Sequence, residues 1–130
     1  MTMVPEPDEP PELSLPVLRL RGTAEIRAVL EAYLNVDEDF KNRDGGWHYR
    51  GVVETLRWAV GDRPDAPVSE TVLDHPLGYW DVSRERGYAE RAWRGEIKTG
   101  MRADYLLGVE HTTSWLREGG EGIGIPRRRT

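Results

Sequence analysis

Apolar residues recur in four stretches of the chain at the spacing of a helix with one buried face. Ile26, Val29, Leu30, Tyr33 and Leu34 stand at i, i+3, i+4, i+7 and i+8 behind Thr23, whose hydroxyl suits a helix N-cap. This first helix is expected to end between Asn35 and Phe40, with Asp37-Glu38-Asp39 as its solvated end and Asp44-Gly45-Gly46 as the turn that follows. A second helix is predicted from about Trp47 to Val60, with His48, Val52, Leu56 and Ala59 on one face. Gly61 is placed to cap it, and Pro64 forbids continuation. A third starts near the capping residue Ser83 and carries Tyr88, Ala89, Ala92, Trp93 and Ile97. The fourth runs from about Met101 to Arg117, with Met101, Tyr105, Val109, Thr112 and Leu116 together and Gly119-Gly120 as its stop.

The second and fourth stretches contain a self-match. Gly51-Val52-Val53-Glu54-Thr55-Leu56-Arg57-Trp58 aligns with Gly108-Val109-Glu110-His111-Thr112-Thr113-Ser114-Trp115, pairing Gly, Val, Thr and Trp at one internal spacing. In the helices before them, Val29, Leu30, Tyr33 and Leu34 fall on Tyr88, Ala89, Ala92 and Trp93 once the turn shortens by two residues. The expected fold is therefore all-α: two tandem helical hairpins forming a pseudo-two-fold four-helix bundle, with extended N- and C-terminal tails. A glycine inside a helix costs up to about 1 kcal/mol against alanine, so its use at both Gly51 and Gly108 predicts that another backbone passes close by. The second and fourth helices are expected to cross there, each glycine making room for a bulky neighbour such as Trp58 or Trp115.

Outside the periodic stretches the composition changes. Residues 1–21 form an acidic, proline-rich arm in which Pro5, Pro7, Pro10, Pro11 and Pro16 alternate with Glu6, Asp8, Glu9 and Glu12, a pattern of extended polyproline-II chain. By composition this arm reads as a solvated tail; the alternative is an arm that docks on a neighbouring subunit, with Leu13, Leu15, Val17, Leu18 and Leu20 as the anchor. The helical domain spans 22–118, as hairpin 23–61, connector 62–81 and hairpin 82–118, and 119–130 is a Gly-rich basic tail. The connector is long for a compact domain, which makes it a leading site candidate. Within it, residues 69–73 read as one helical turn. Asp74-His75-Pro76-Leu77-Gly78-Tyr79-Trp80-Asp81 reads as a loop whose two aromatics suit a recognition surface or plug the end of the bundle.

Charge and composition narrow the chemistry. With 130 residues, 38 % of them hydrophobic, the chain holds one core. It has no apolar run long enough to span a membrane and no secretory pattern at its amino terminus, so no membrane partner and a cytoplasmic location are expected. The absence of cysteine closes thiolate and disulfide chemistry, and a net charge of −5 argues against nucleic-acid binding by the whole surface. Local exceptions are Arg84, Arg86, Arg91 and Arg94 on or near the third helix and Arg127, Arg128 and Arg129 in the tail, which suit phosphate or an acidic partner. Glu85, Glu90 and Glu96 are interleaved with the first set, so i, i+4 pairing competes with that use.

Catalytic and metal patterns are missing from the sequence. His48, His75 and His111 include no Glu-x-x-His or His-x-x-x-His spacing, and no two of them share a helical face. Adjacent Glu110 and His111 point about 100° apart on an ideal helix. The serines lie in no Gly-x-Ser-x-Gly elbow, and the carboxylates form no Glu-x-x-Glu magnesium cluster. No catalytic residue, metal or cofactor is expected. The favoured reading is a small non-enzymatic adaptor or assembly protein that contacts other protein chains, or itself, through Tyr79, Trp80, Leu13, Leu15, Trp47 and Tyr49. A nucleic-acid-associated regulator and a small-ligand or metal-binding bundle are the alternatives.

Overall fold

A computed structural model describes residues 18–120 and residue 123. Among these residues the regular elements are α1 (Thr23–Leu34), α2 (Glu38–Lys41), α3 (Trp47–Ala59), α4 (Tyr79–Trp93) and α5 (Ala103–Leu116), and the five helices pack together. The most extensive contact joins α3 to α5, while α4 packs on α5 and α1 on α3. None of these helices is long and apolar enough to cross a membrane. Leu13, Leu15, Arg127, Arg128 and Arg129 lie outside the described residues.

Backbone chemistry sets the helix ends. α3 begins where Asp44, Gly45 and Gly46 all take positive φ, a left-handed turn that glycine accepts without strain. It ends in a Schellman motif: the Gly61 N–H donates to the Trp58 carbonyl and the Asp62 N–H to the Arg57 carbonyl. α4 ends the same way, Gly95 donating to Ala92 and Glu96 to Arg91.

Several boundaries differ from expectation. Thr23 is the first residue of α1 rather than its cap, a place taken by Gly22 without a side-chain bond. Asp37-Glu38-Asp39 is not a frayed end of α1. Asp37 caps a separate short helix by accepting the Phe40 N–H at 2.9 Å. α4 starts at Tyr79, four residues before Ser83, because the Asp81 carboxylate reaches back to accept the Gly78 N–H at 2.9 Å. Tyr79 and Trp80 therefore stand on the first turn of a helix and not in a loop. Residues 69–73 form no helical turn: Glu70 has a φ of 62°, and Asp65 and Val72 close a tight turn as an isolated antiparallel bridge. Leu34 and Trp93, both expected on a buried face, are exposed.

The α3–α5 crossing explains the repeated residues. A methyl group on Gly51 would fall onto the Tyr105 carbonyl oxygen and stand 3.0 Å from Gly108 Cα; one on Gly108 would fall onto the His48 carbonyl oxygen and stand 3.0 Å from Gly51 Cα. The neighbours that each glycine admits are backbone atoms of the other helix, not the indoles of Trp58 and Trp115. Four residues on, the Thr55 hydroxyl donates to the Gly51 carbonyl and the Thr112 hydroxyl to the Gly108 carbonyl, each at 2.7 Å. These fully buried hydroxyls are thereby satisfied within their own helices. One apolar cluster, including Ile26, Val29, Leu30, Val52, Leu56, Trp58 and Trp115, surrounds this crossing. A second joins Val68, Ala89, Leu106 and Val109.

The connector is held to the helices by a buried carboxylate. Glu85 on α4 is only 3 % exposed. Its oxygens accept the N–H groups of Val68 and Ser69 and the Ser69 hydroxyl, so the charge is compensated by three donors. The Tyr105 hydroxyl adds a bond to the Pro67 carbonyl at 2.9 Å. At the amino-terminal side, Leu20 bridges Arg117, with the Arg21 N–H on the Leu116 carbonyl and the Glu118 N–H on the Arg19 carbonyl.

Candidate functional site

Two places in the described fold gather candidate side chains. The first is the outer face of α4. Trp80, Arg84, Arg91 and Arg94 stand at i, i+4, i+11 and i+14, a spacing that keeps them in one stripe. Trp80 is 65 % exposed, and its ring meets Tyr79 edge-on at 5.1 Å between centroids. The Arg117 guanidinium lies 6.0 Å from the Tyr79 ring centre. Most of the stripe's positive charge is locally answered. Arg84 pairs with Asp81 at 3.4 Å, and Arg94 pairs with Glu90 at 2.6 Å and Glu96 at 3.5 Å. Arg91 rests on the Tyr88 ring. Arg86 does not join the stripe: it turns toward α5, where it pairs with Glu110 at 3.1 Å.

The other aromatic candidates are used differently. Trp47 is half-buried, and two guanidinium groups lie near its ring, Arg50 at 4.8 Å and Arg102 at 5.1 Å. Tyr49 packs against Tyr33 and Phe40, and its hydroxyl donates to the Tyr33 carbonyl at 2.9 Å. Trp58 and Trp115 belong to the core, the latter with Arg21 stacked 4.5 Å from its ring centre.

The second place is a histidine pair beside the crossing. His48 lies one turn before Gly51 on α3 and His111 one turn after Gly108 on α5, and the glycine contact brings their rings together. Nε2 of His48 is 3.1 Å from Nδ1 of His111. Nε2 of His111 faces Oε1 of Glu110 at 3.7 Å, while Oε2 of the same carboxylate holds Arg86. Burial, and then the neighbouring His111, push the His48 pKa down; Asp104 and Asp44 act in the opposite sense. His48 borders a cleft of about 340 Å³ with Phe40, Arg43, Asp44 and Tyr49. The sequence reading found no two histidines on one helical face and so missed this pair, which is made by two helices. The signal available was the position of each histidine three residues from a repeated glycine.

His75 is elsewhere, between two carboxylates. Its Nδ1 is 2.9 Å from Asp74 and its Nε2 3.1 Å from Asp81. Asp74 and then Asp81 raise its pKa. Burial alone would raise the Asp81 pKa, but the Gly78 amide and His75 outweigh that and hold it below its ordinary value. Among the described residues no group of three or more His, Asp or Glu side chains has the geometry to hold a metal ion. No protein-family model, curated protein or solved structure matches this chain.

Proposed function

We propose that this protein is a small helical adaptor or assembly module that binds another protein chain through the outer face of α4. The observation that carries this reading is Trp80. A large amphipathic ring 65 % exposed on the first turn of a well-capped helix contributes little to the fold. Such a ring is a strong source of binding energy once a partner covers it. Arg91, which rests on the Tyr88 ring, follows it three turns along the stripe, so the matching surface on the partner carries an apolar or aromatic pocket with a carboxylate beside it. The acidic arm, with Leu13 and Leu15, adds a second contact in this reading.

The helical hairpins belong to the same proposal. Reciprocal contacts of Gly51 and Gly108, and the matching threonine bonds, support two copies of one hairpin related by a pseudo-two-fold axis in a four-helix bundle. The short α2 is then an addition to the first turn.

The test compares full-length protein, Trp80→Ser, and a form lacking residues 1–16, each used to capture partners and each run in sedimentation velocity. A specific partner, or self-association, that is lost in Trp80→Ser supports the proposal. Capture and sedimentation identical in all three forms overturns it.

A further inference from the structure

We propose that Nε2 of His48 and Nδ1 of His111 chelate one divalent late transition-metal ion, of the Cu²⁺, Ni²⁺ or Zn²⁺ class. The geometry comes first. Two nitrogens 3.1 Å apart, each about 2.05 Å from a common ion, subtend an angle of about 100° at it, between the square and tetrahedral values. The rings now face each other almost head-on, with centroids 5.3 Å apart, so each turns by some tens of degrees to aim its lone pair at the shared ion while the nitrogens keep their separation.

The second argument is the tautomer. A metal-ligating imidazole must present a free lone pair, and it is usually oriented by a carboxylate on its other nitrogen. Glu110 Oε1 stands 3.7 Å from Nε2 of His111 and favours the proton there, which leaves Nδ1 free. Arg86, on Oε2, fixes that carboxylate in turn. With that tautomer, the Nε2–H of His48 is the donor to Nδ1 of His111 in the metal-free pair. On binding, that proton moves to Nδ1 of His48, so both imidazoles stay neutral and none is released.

Position and charge add to this. The ligands are anchored on two helices whose backbones touch at Gly51 and Gly108, so little conformational freedom is lost on chelation. His111 is 40 % exposed, so the pair can be reached from solvent, and His48 borders the cleft that Asp44 also lines. Asp44 and Asp104 act on His48 as negative charges, against the nearby cation Arg43. With two protein ligands the site is open and exchangeable, unlike the closed four-ligand sites that hold small folds together.

The experiment uses tag-free full-length protein and the metal salts alone. Calorimetric titration with Cu²⁺, Ni²⁺ and Zn²⁺ should give one ion per chain, tightest for Cu²⁺. His48→Gln and His111→Gln should each weaken binding at least about tenfold, Glu110→Gln by about tenfold, and His75→Gln not at all. Circular dichroism without metal checks that each variant is folded. A measurement on the unaltered protein guards against misfolded variants: substoichiometric Cu²⁺ should broaden the NMR signals of His48 and His111 before those of His75. Absence of stoichiometric binding, binding unchanged in both His48→Gln and His111→Gln, or broadening led by His75 would each overturn the proposal.

Discussion

Replacing Gly51 by alanine sets two effects of opposite sign against each other. In an ordinary helix interior the change gains about 1 kcal/mol, because alanine loses less backbone entropy on folding. At this position the new methyl meets the Tyr105 carbonyl oxygen and lies 3.0 Å from both Gly108 Cα and the Val109 nitrogen. None of these is the end of a side chain that can rotate away, so α3 and α5 must separate. Overpacking a tight core costs about 1–3 kcal/mol, and rigid backbone on the far side places this case at the upper end. The net expectation is a loss of about 2 kcal/mol, or roughly 7–9 °C in Tm for a domain of this size. Gly87, inside α4, supplies the control. Nothing lies within 4 Å of its would-be Cβ, so Gly87→Ala should stabilise by up to about 1 kcal/mol. Urea denaturation at 25 °C, with m-values compared to confirm that the unfolded state is unchanged, reads both. A Gly51→Ala protein as stable as the parent would refute the close-crossing argument. If the two glycines are equivalent, Gly108→Ala costs the same within about 0.5 kcal/mol, and the double variant less than the sum, because the helices separate only once.

Further outcomes follow from the connector and the caps. Glu85→Ala leaves the Val68 and Ser69 amides without their acceptor and should cost about 2–4 kcal/mol, with faster hydrogen exchange at those two amides. For His75, whose pKa is raised above the ordinary 6.5, the folded state holds the proton more tightly than the unfolded one. That contribution is complete below about pH 6.5 and is lost as the pH rises through the raised value. Thermal melts from pH 5 to 9 should therefore show an alkaline decline that is absent in His75→Gln. Trp80→Ser, which removes a ring that is mostly in solvent, should leave Tm within a few degrees of the parent while changing partner binding.

The parts of this fold that were legible in the sequence are those decided locally. α3 was readable at both ends because Gly45-Gly46 and Gly61 supply positive φ where a helix must start and stop. The repeated glycines carried a message about close approach because glycine inside a helix has few other uses. The start of α4 was misread because its cap is a carboxylate three residues inside the helix reaching back to Gly78, while Ser83, which resembles a cap, lies in the second turn. The turn at 67–70 was illegible because its amides are satisfied by Glu85, 16 and 17 positions away. The histidine pair depends on a separation of 63 residues and on the angle at which two helices cross, neither of which a periodic pattern encodes.

The clasp between Leu20 and Arg117 has a mechanical consequence. In an antiparallel pairing the incoming and outgoing strands leave by the same end, so tension applied to the two flanking segments loads the hydrogen bonds one after another. The Arg21 side-chain bond to the Gly120 carbonyl lies outermost and takes the load first; the bond from Glu118 to Arg19 and then that from Arg21 to Leu116 follow. The clasp therefore unzips rather than shears. When it opens, Arg21 swings off Trp115 and uncovers one side of that indole, while the glycine crossing deeper in the chain still bears no force. A protein tethered at both ends would thus yield in two stages, a soft one at its edge and a stiffer one at α3 and α5.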